Sequence, residues 1–378
     1  MYCFASGPCA KRKGWSLPDY QLAGRSHRSP EGLHLIQEVL RLQRKVLQIP
    51  DDFLIAVVSG SGTGSAELLL WNFVGPRPVD VLDQCVFSHH WAHDVLNELK
   101  IPNVNVIKAA FPEVSDTSKV NFDHDLVFCL SSTTSGTSFN DLNWIPVDRK
   151  GLVICDATSG AFTMNCDWSK LDAVAFSWQK GLGAEAGLGT IVLSPKAVQR
   201  LQDFPPDRAM PRVFRIVENG KINSLLFQGY VINTVSLLCV QEFFENLQWA
   251  DEQGGLRFLL QKVEENYNIV TDWLSRQDMF KFLVDDEKHL AHHIICLDIT
   301  DENYQKLSVN EKWDFLREIR DRAAEKKYGY DFVGHAATQP HIRIWNGPTI
   351  EASELKDFLP NLLKDTRELC CSLIQKQK

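Results

Sequence analysis

Several common features are missing from this 378-residue chain, and each absence narrows what it does. No apolar run reaches the roughly 18 residues that a membrane-spanning helix needs, so no span is expected. The opening stretch "MYCFASGPCAKRKGW" lacks a charged region followed by an apolar one, so it does not read as a secretory signal. Positive charge is in deficit. There are 40 Lys and Arg against 48 Asp and Glu, and the formal net charge is −8. A nucleic-acid partner would call for a basic surface, so none is expected. The ten cysteines contain no CxxC pair and no zinc spacing, so no metal site is expected either. Several of them sit inside apolar runs ("LVFCL", "LVICD"), where a thiol serves as a small core group. That usage fits a reduced, cytoplasmic compartment. No internal repeat or low-complexity segment interrupts the chain.

What is present is an ordinary globular composition, 44% hydrophobic and 23% charged, long enough for two domains. Strand candidates run through the first half: "FLIAVV" (53–58), "VDVLDQCVF" (79–87), "VNVIKAA" (104–110), "DLVFCL" (125–130), "GLVICD" (151–156), "LDAVAF" (171–176) and "GTIVLS" (189–194). Helical patterns lie between them, one over about 64–74 and one opening at Trp91. Continuous apolar strands interleaved with helices predict an α/β domain whose sheet is mostly parallel and covered on both faces. The pattern turns helical over 232–250 and 256–275, with a proline-rich loop before it at 204–213. A smaller α+β unit follows, with strands at 292–299 and 341–345 and helices at 310–327 and 351–369. The expected domains are 16–255 and 256–378, with residues 1–15 packing on the smaller one.

Three stretches carry chemistry. In "VVSGSGTGSAELLLW" a strand meets a glycine-rich turn and then a helix. Gly60, Gly62 and Gly64 would let backbone approach an anion at the helix N-terminus, although an ordinary tight turn fits the same letters. There is no GK[ST], which excludes a triphosphate loop. A dinucleotide fingerprint nearly fits, with Ser65 at the third glycine position and Asp83 about 20 residues on. That keeps a dinucleotide-binding oxidoreductase as a remote alternative. Asp156 stands at the end of an apolar strand, the edge where open α/β sheets bind ligands. Taken alone it is equally a solvated loop residue or a helix cap. Lys180 follows the next strand, 24 residues later, in "FSWQKGLGAEAGLG". Phosphate cradle, aspartate and lysine together outline a pyridoxal-phosphate site. Gly181 and Gly183 are read as clearance for the chain to turn close past the cofactor. Trp91 could stack on a cofactor ring or simply pack in the core. Arg28 in "GRSHRS" (24–29) and Arg343 in "HIRIWNG" (341–347) offer forks for carboxylates.

These residues, with "SGPCAKRKGW" (6–15), "TGSAELLLW" (63–71), "TTSG" (133–136), "WIPVDRKGLVICDATS" (144–159) and "INTVSLLCV" (232–240), resemble the phosphoserine aminotransferases over nearly the whole chain. The resemblance is to the class V branch of pyridoxal-phosphate enzymes, and most to the subgroup that begins "SGPCAKR". It implies the type I fold of such transferases, with a mostly parallel mixed seven-stranded sheet and a smaller C-terminal α+β domain. It implies transfer of an amino group between L-glutamate and 3-phosphohydroxypyruvate, giving O-phospho-L-serine and 2-oxoglutarate. That is a step of L-serine biosynthesis, with pyridoxine biosynthesis as a second pathway open to it. By position, Lys180 would be the cofactor-linking lysine and proton shuttle. Asp156 would pair with the ring nitrogen, Trp91 would stack on the ring, and Thr133 would contact the phenolic oxygen. Gly62, Thr63 and Gln179 would hold the cofactor phosphate. Asn233 and Thr234 would reach the phosphate of the other subunit, making a homodimer with shared sites. Arg343 would hold the substrate α-carboxylate, and His27 and Arg28 would approach the distal anion from the partner chain.

Two departures stand out. Val235 replaces the proline of the family's "NTP". The family also places a second arginine about seven residues before the carboxylate arginine, where this chain has Ala336, beside His335. His335 is therefore carried as a substrate-binding candidate, and His341, Lys11, Arg12 and Arg215 are other possible substitutes. The loss keeps open an aminotransferase with a non-phosphorylated acceptor, such as glyoxylate or pyruvate.

Overall fold

A computed structural model describes residues 2–376. The chain opens with an extended N-terminal segment and helix α1 (Pro30–Leu47). Ser29 caps α1 by accepting from the Gly32 amide, and Pro30 occupies its first turn. Then come β1 (Leu54–Ser59), α2 (Ser61–Phe73), β2 (Val79–Asp83), α3 (Val86–His93), β3 (Val104–Lys108) and β4 (Asp125–Cys129). They are followed by β5 (Val153–Asp156), β6 (Ala173–Ser177), β7 (Leu188–Leu193) and α4 (Pro195–Asp203). The last part holds α5 (Leu237–Glu252), α6 (Leu256–Leu274), β8 (Phe280–Phe282), β9 (Ile294–Ile299), α7 (Val309–Glu325), β10 (Ile342–Trp345) and α8 (Ala352–Lys376). Among the described residues, no helix is long and apolar enough to cross a membrane.

The first seven strands form one sheet in the order β1-β7-β6-β5-β4-β2-β3. Strand β7 runs antiparallel to both its neighbours and the other pairs are parallel, so the sheet is mixed and mostly parallel as expected. Alternation along β1 sorts its side chains by face. Ile55 and Val57 enter one core with α1 and α5, while Ala56 and Val58 enter another with α2 and α4. A third core surrounds the antiparallel β8-β9-β10 sheet and takes in Phe4 and Cys9 of the N-terminal segment. Helix α6 spans the junction. Leu256 and Leu259 join the α1/α5 core, and Val270 joins the third.

The structure corrects several expected boundaries. The second strand stops at Asp83 rather than Phe87, because Cys85 and Ser88 form a capping box that starts α3. Trp91 therefore lies inside a helix begun at Val86 rather than opening one. Helix α2 starts at Ser61, so Gly62 and Gly64 belong to its first turns and only Gly60 is a turn residue. The dinucleotide alternative also fails on topology. Four strands separate β1 from β2 in the sheet, so Asp83 is nowhere near the glycine turn.

The N-terminal ends of the parallel strands are braced by buried ion pairs. Arg200 of α4 makes a fork to Asp125 (2.8 and 3.0 Å), and Asp125 also accepts from the Leu152 amide (2.8 Å). Removing one member strands a buried charge. Arg200→Met should cost about 3–5 kcal/mol, read as a lowered urea midpoint. A loss below about 1 kcal/mol, the range of an exposed pair, would contradict this bracing role.

Candidate active site

The C-terminal ends of β4, β5 and β6 and the N-terminus of α2 enclose a cavity of about 190 Å³. Seven expected residues line it: Gly62, Thr63, Trp91, Thr133, Asp156, Gln179 and Lys180. Strands β5 and β6 are parallel neighbours, and that adjacency delivers Asp156 and Lys180 to one side of the cavity.

Lys180 is 8% exposed. Its Nζ donates to the carbonyl of Ser6, so the N-terminal segment forms a wall of the site. Burial pulls its pKa down from the ordinary lysine value; Cys9 and Asp156 oppose this, while Arg343 adds to it. Gly7 must be glycine here. A Cβ would lie 2.5 Å from the Lys180 ammonium, and φ is +144°. Asp156 is fixed at both oxygens. Trp91 Nε1 donates to Oδ2 (3.1 Å) and the Thr158 amide to Oδ1 (2.9 Å). Burial raises its pKa, and the bonds from Thr158 and Trp91 and the attraction of Lys180 pull the other way. The Trp91 indole is thus oriented by the same carboxylate.

Helix α2 has no side-chain cap. Its first amides, including those of Gly62 and Thr63, have no carbonyl one turn earlier to bond, and they carry the positive end of the helix dipole. The entry is sharp, with Gly60 at φ +91° and Ser61 at φ +52°. A serine in that left-handed region costs roughly 1–2 kcal/mol, so the surrounding structure holds it there. Gly62 is packed tightly; a Cβ would lie 2.6 Å from Thr158 Oγ1. Two buried polar atoms on the cavity wall, Thr158 Oγ1 and Gln179 Oε1, have no protein partner. An anion-ready helix end, a buried amine facing a carboxylate, and orphan polar groups between them fit a phosphorylated aromatic aldehyde.

Arg343, on β10, donates to the Thr133 carbonyl (3.3 Å) while its Nε is buried without a partner. Burial lowers its pKa. His335 sits half-buried in the loop before β10, its pKa lowered by burial and then by Arg343. Other expected residues lie off the cavity wall. Asn233 accepts from Ser59 Oγ (2.8 Å) beside the α2 turn, and Thr234 is exposed. Arg28 is exposed, whereas His27 is buried within its own protomer at 6% exposure, with Nε2 unpaired. Gly181 and Gly183 need another explanation. A Cβ on Gly181 would meet the Ala161 carbonyl at 2.6 Å, and one on Gly183 the Ala10 carbonyl. These glycines give clearance to the chain itself rather than to a ligand.

Sequence reasoning assigned no site role to Ser6, Gly7, Phe87, Ser131, Thr158 or Ser159. Gly7, Phe87, Ser131, Thr158 and Ser159 line the cavity, and Ser6 holds the lysine. The signal for Ser6 and Gly7 was available in the "SGPCAKR" stretch. The signal for Thr158 was its place two residues beyond Asp156.

Comparison with known proteins agrees with this geometry. The aminotransferase class-V family model matches residues 25–310. A phosphoserine aminotransferase of Methanosarcina barkeri is 37% identical over 358 residues, covering 94% of each chain. A solved phosphoserine aminotransferase of Cytophaga hutchinsonii superposes with a TM-score of 0.81 at 19% identity, covering 96% of this chain and 98% of that one. A PLP-bound phosphoserine aminotransferase of Trichomonas vaginalis gives 0.78 at 18% identity, covering 95% and 99%. At those identities the two structures speak for the fold.

The buried amine has a measurable consequence. Its folded pKa lies below the ordinary 10.5, so between the two values the unfolded chain binds the proton and the folded chain does not. Stability of the cofactor-free chain should therefore rise with pH through that window. Lys180→Met removes the cost of burying an ammonium, so it should melt above the parent at pH 7. The gap should narrow as pH approaches 10.5. A gap independent of pH, or a less stable variant at pH 7, would show that burial does not depress this amine.

Proposed function

The chain belongs to the aminotransferase class-V family, and from that premise we propose that it transfers an amino group between L-glutamate and 3-phosphohydroxypyruvate. The cofactor is pyridoxal 5'-phosphate. The observation that carries the reading is the convergence of Lys180, Asp156 and the uncapped N-terminus of α2 on one cavity. The choice of acceptor draws on the full-length likeness to the Methanosarcina phosphoserine aminotransferase.

The amides of Gly62 and Thr63, with Gln179, would hold the cofactor phosphate. Trp91 would stack on the ring, Thr133 would contact its phenolic oxygen, and Asp156 would keep the ring nitrogen protonated. When bound, the cofactor supplies an aldehyde for the substrate amine and a ring that accepts the electron pair left at Cα. Lys180 Nζ would take the proton from Cα. Its depressed basicity raises the uncharged fraction available for that task. The Ser6 carbonyl aims the amine, and Gly7 leaves room for it to swing. Arg343 would hold the α-carboxylate. Asn233 and Thr234 would reach the other protomer's cofactor phosphate in a homodimer with shared sites, and His27 and Arg28 would reach that protomer's substrate. We further assign domains 16–255 and 256–378, with 1–15 on the smaller, and a cytoplasmic location from the cysteine usage.

One observation favours a second reading. Ala336 stands where the family has a guanidinium, which suits an acceptor without phosphate, such as glyoxylate or pyruvate. Turnover with glutamate and each acceptor in turn decides between them. The proposal expects 3-phosphohydroxypyruvate to give the highest kcat/KM; preference for glyoxylate or pyruvate would overturn that acceptor while leaving transamination intact. Lys180→Ala should lower turnover by about 10²–10⁴-fold or more, the usual worth of general acid–base catalysis. Near-normal turnover in that variant would refute the assigned role.

A further inference from the structure

The question left by Ala336 is where a distal phosphate would find its cations. A second cavity, about 500 Å³, adjoins the first. Gly7 lines both, and Ala336 and Arg343 line the second. Its far wall is helix α7, which presents Trp313, Arg317 and Arg320. These positions are four and three residues apart, so they lie on one helical face.

The groups of the same chain named above as substitutes for the missing guanidinium are otherwise engaged. Lys11 is held between Glu242 (2.6 Å) and Glu185 (2.8 Å). Arg12 lies over the Trp249 ring at 5.5 Å. Arg215 donates to the Met210 carbonyl (3.1 Å) in an exposed loop. His341 is buried against the Gln339 carbonyl (2.7 Å), and burial takes its pKa down to about 4. His335 Nδ1 accepts from the Ala337 amide (3.2 Å), and burial likewise favours its neutral ring. Two guanidiniums remain beside Ala336.

We infer that Arg317 and Arg320 form a phosphate subsite that replaces the guanidinium missing at position 336. The inference rests on the phosphorylated-acceptor reading above. Their present partners are weak competitors: Arg317 meets Asp314 (2.5 Å) and Arg320 meets Asp321 (2.7 Å), both exposed pairs along one helix. A dianionic phosphate offers each fork a better, bidentate acceptor. Among the described residues, Asp331 is the one carboxylate in the lining of this cavity, against three guanidiniums, those of Arg317, Arg320 and Arg343. The subsite places discrimination on a helix of the smaller unit, one cavity away from the reacting amine. A substrate whose α-carboxylate is held by Arg343 would direct its phosphate along the same wall.

The test uses the holoenzyme with Arg317→Gln/Arg320→Gln and compares acceptors with and without phosphate, 3-phosphohydroxypyruvate and 3-hydroxypyruvate. In a ping-pong reaction kcat/KM for an acceptor reports its own half-reaction. The ratio of the two values should fall at least about tenfold, the worth of one lost charge-assisted bond. Arg317→Lys/Arg320→Lys should restore part of it, since the charge returns without the fork. Inorganic phosphate should inhibit wild-type turnover of 3-hydroxypyruvate competitively, and the glutamine variant should escape that inhibition. Where the wild type prefers the phosphorylated acceptor, an unchanged ratio or an equal loss on both acceptors would overturn the subsite, and so in any case would phosphate inhibition that is absent in the wild type or survives in the variant. A wild type with no preference for the phosphorylated acceptor, but with inhibition that the double substitution abolishes, would keep the subsite and refute the acceptor reading instead.

Discussion

The structure turns on a buried amine. Lys180 sits in a cavity under the Ser6 carbonyl, with Asp156 presented by the neighbouring strand. An ammonium there is costly, and the fold supplies only partial compensation: one backbone acceptor, and a carboxylate that burial itself pushes toward neutrality. The rest of the site follows from this constraint. Trp91 and Thr158 fix the carboxylate, Gly7 leaves room for the amine, and the N-terminal segment closes the wall from 174 residues away in sequence. Left incompletely satisfied, the buried amine loses basicity.

The sheet explains why these groups meet. Parallel strands β4, β5 and β6 end together, and the last residue of β5 and the loops beyond β4 and β6 bring Asp156, Thr133 and Lys180 to one edge. Bracing of the opposite edge by Arg200–Asp125 and Arg149–Asp172 separates stability from chemistry. Antiparallel β7 then returns the chain beside β1, and its approach brings the Gly187 carbonyl to the Gly60 amide, pinning the turn that starts α2. One strand reversal thereby positions the helix end that faces the cavity.

Much of this was legible in the letters. Six of the seven strands of the main sheet are largely buried, the edge strand β3 being the exception, so they stand out as continuous apolar runs, and the motif order exposed Lys180, Asp156 and the glycine turn. What stayed hidden depends on contacts between distant residues or on unusual caps. The bond from Lys180 to Ser6 joins positions 174 apart, which no local pattern reports. The start of α3 was missed because cysteine is not a usual N-cap. Gly181 and Gly183 invited a ligand explanation, yet their neighbours are carbonyls of residues 161 and 10. Arg317 and Arg320 fall in the helix expected at 310–327, where nothing local marks them; only packing of α7 beside the loop at Ala336 sets them on a cavity.

The central claim is that Lys180 is the amine that engages the cofactor. Peptide mapping after borohydride reduction of the cofactor-loaded protein tests it most directly. The account predicts one phosphopyridoxyl group per chain, on the peptide that contains Lys180. Labelling confined to another lysine, such as Lys11 or Lys108, or no label at all, would contradict it.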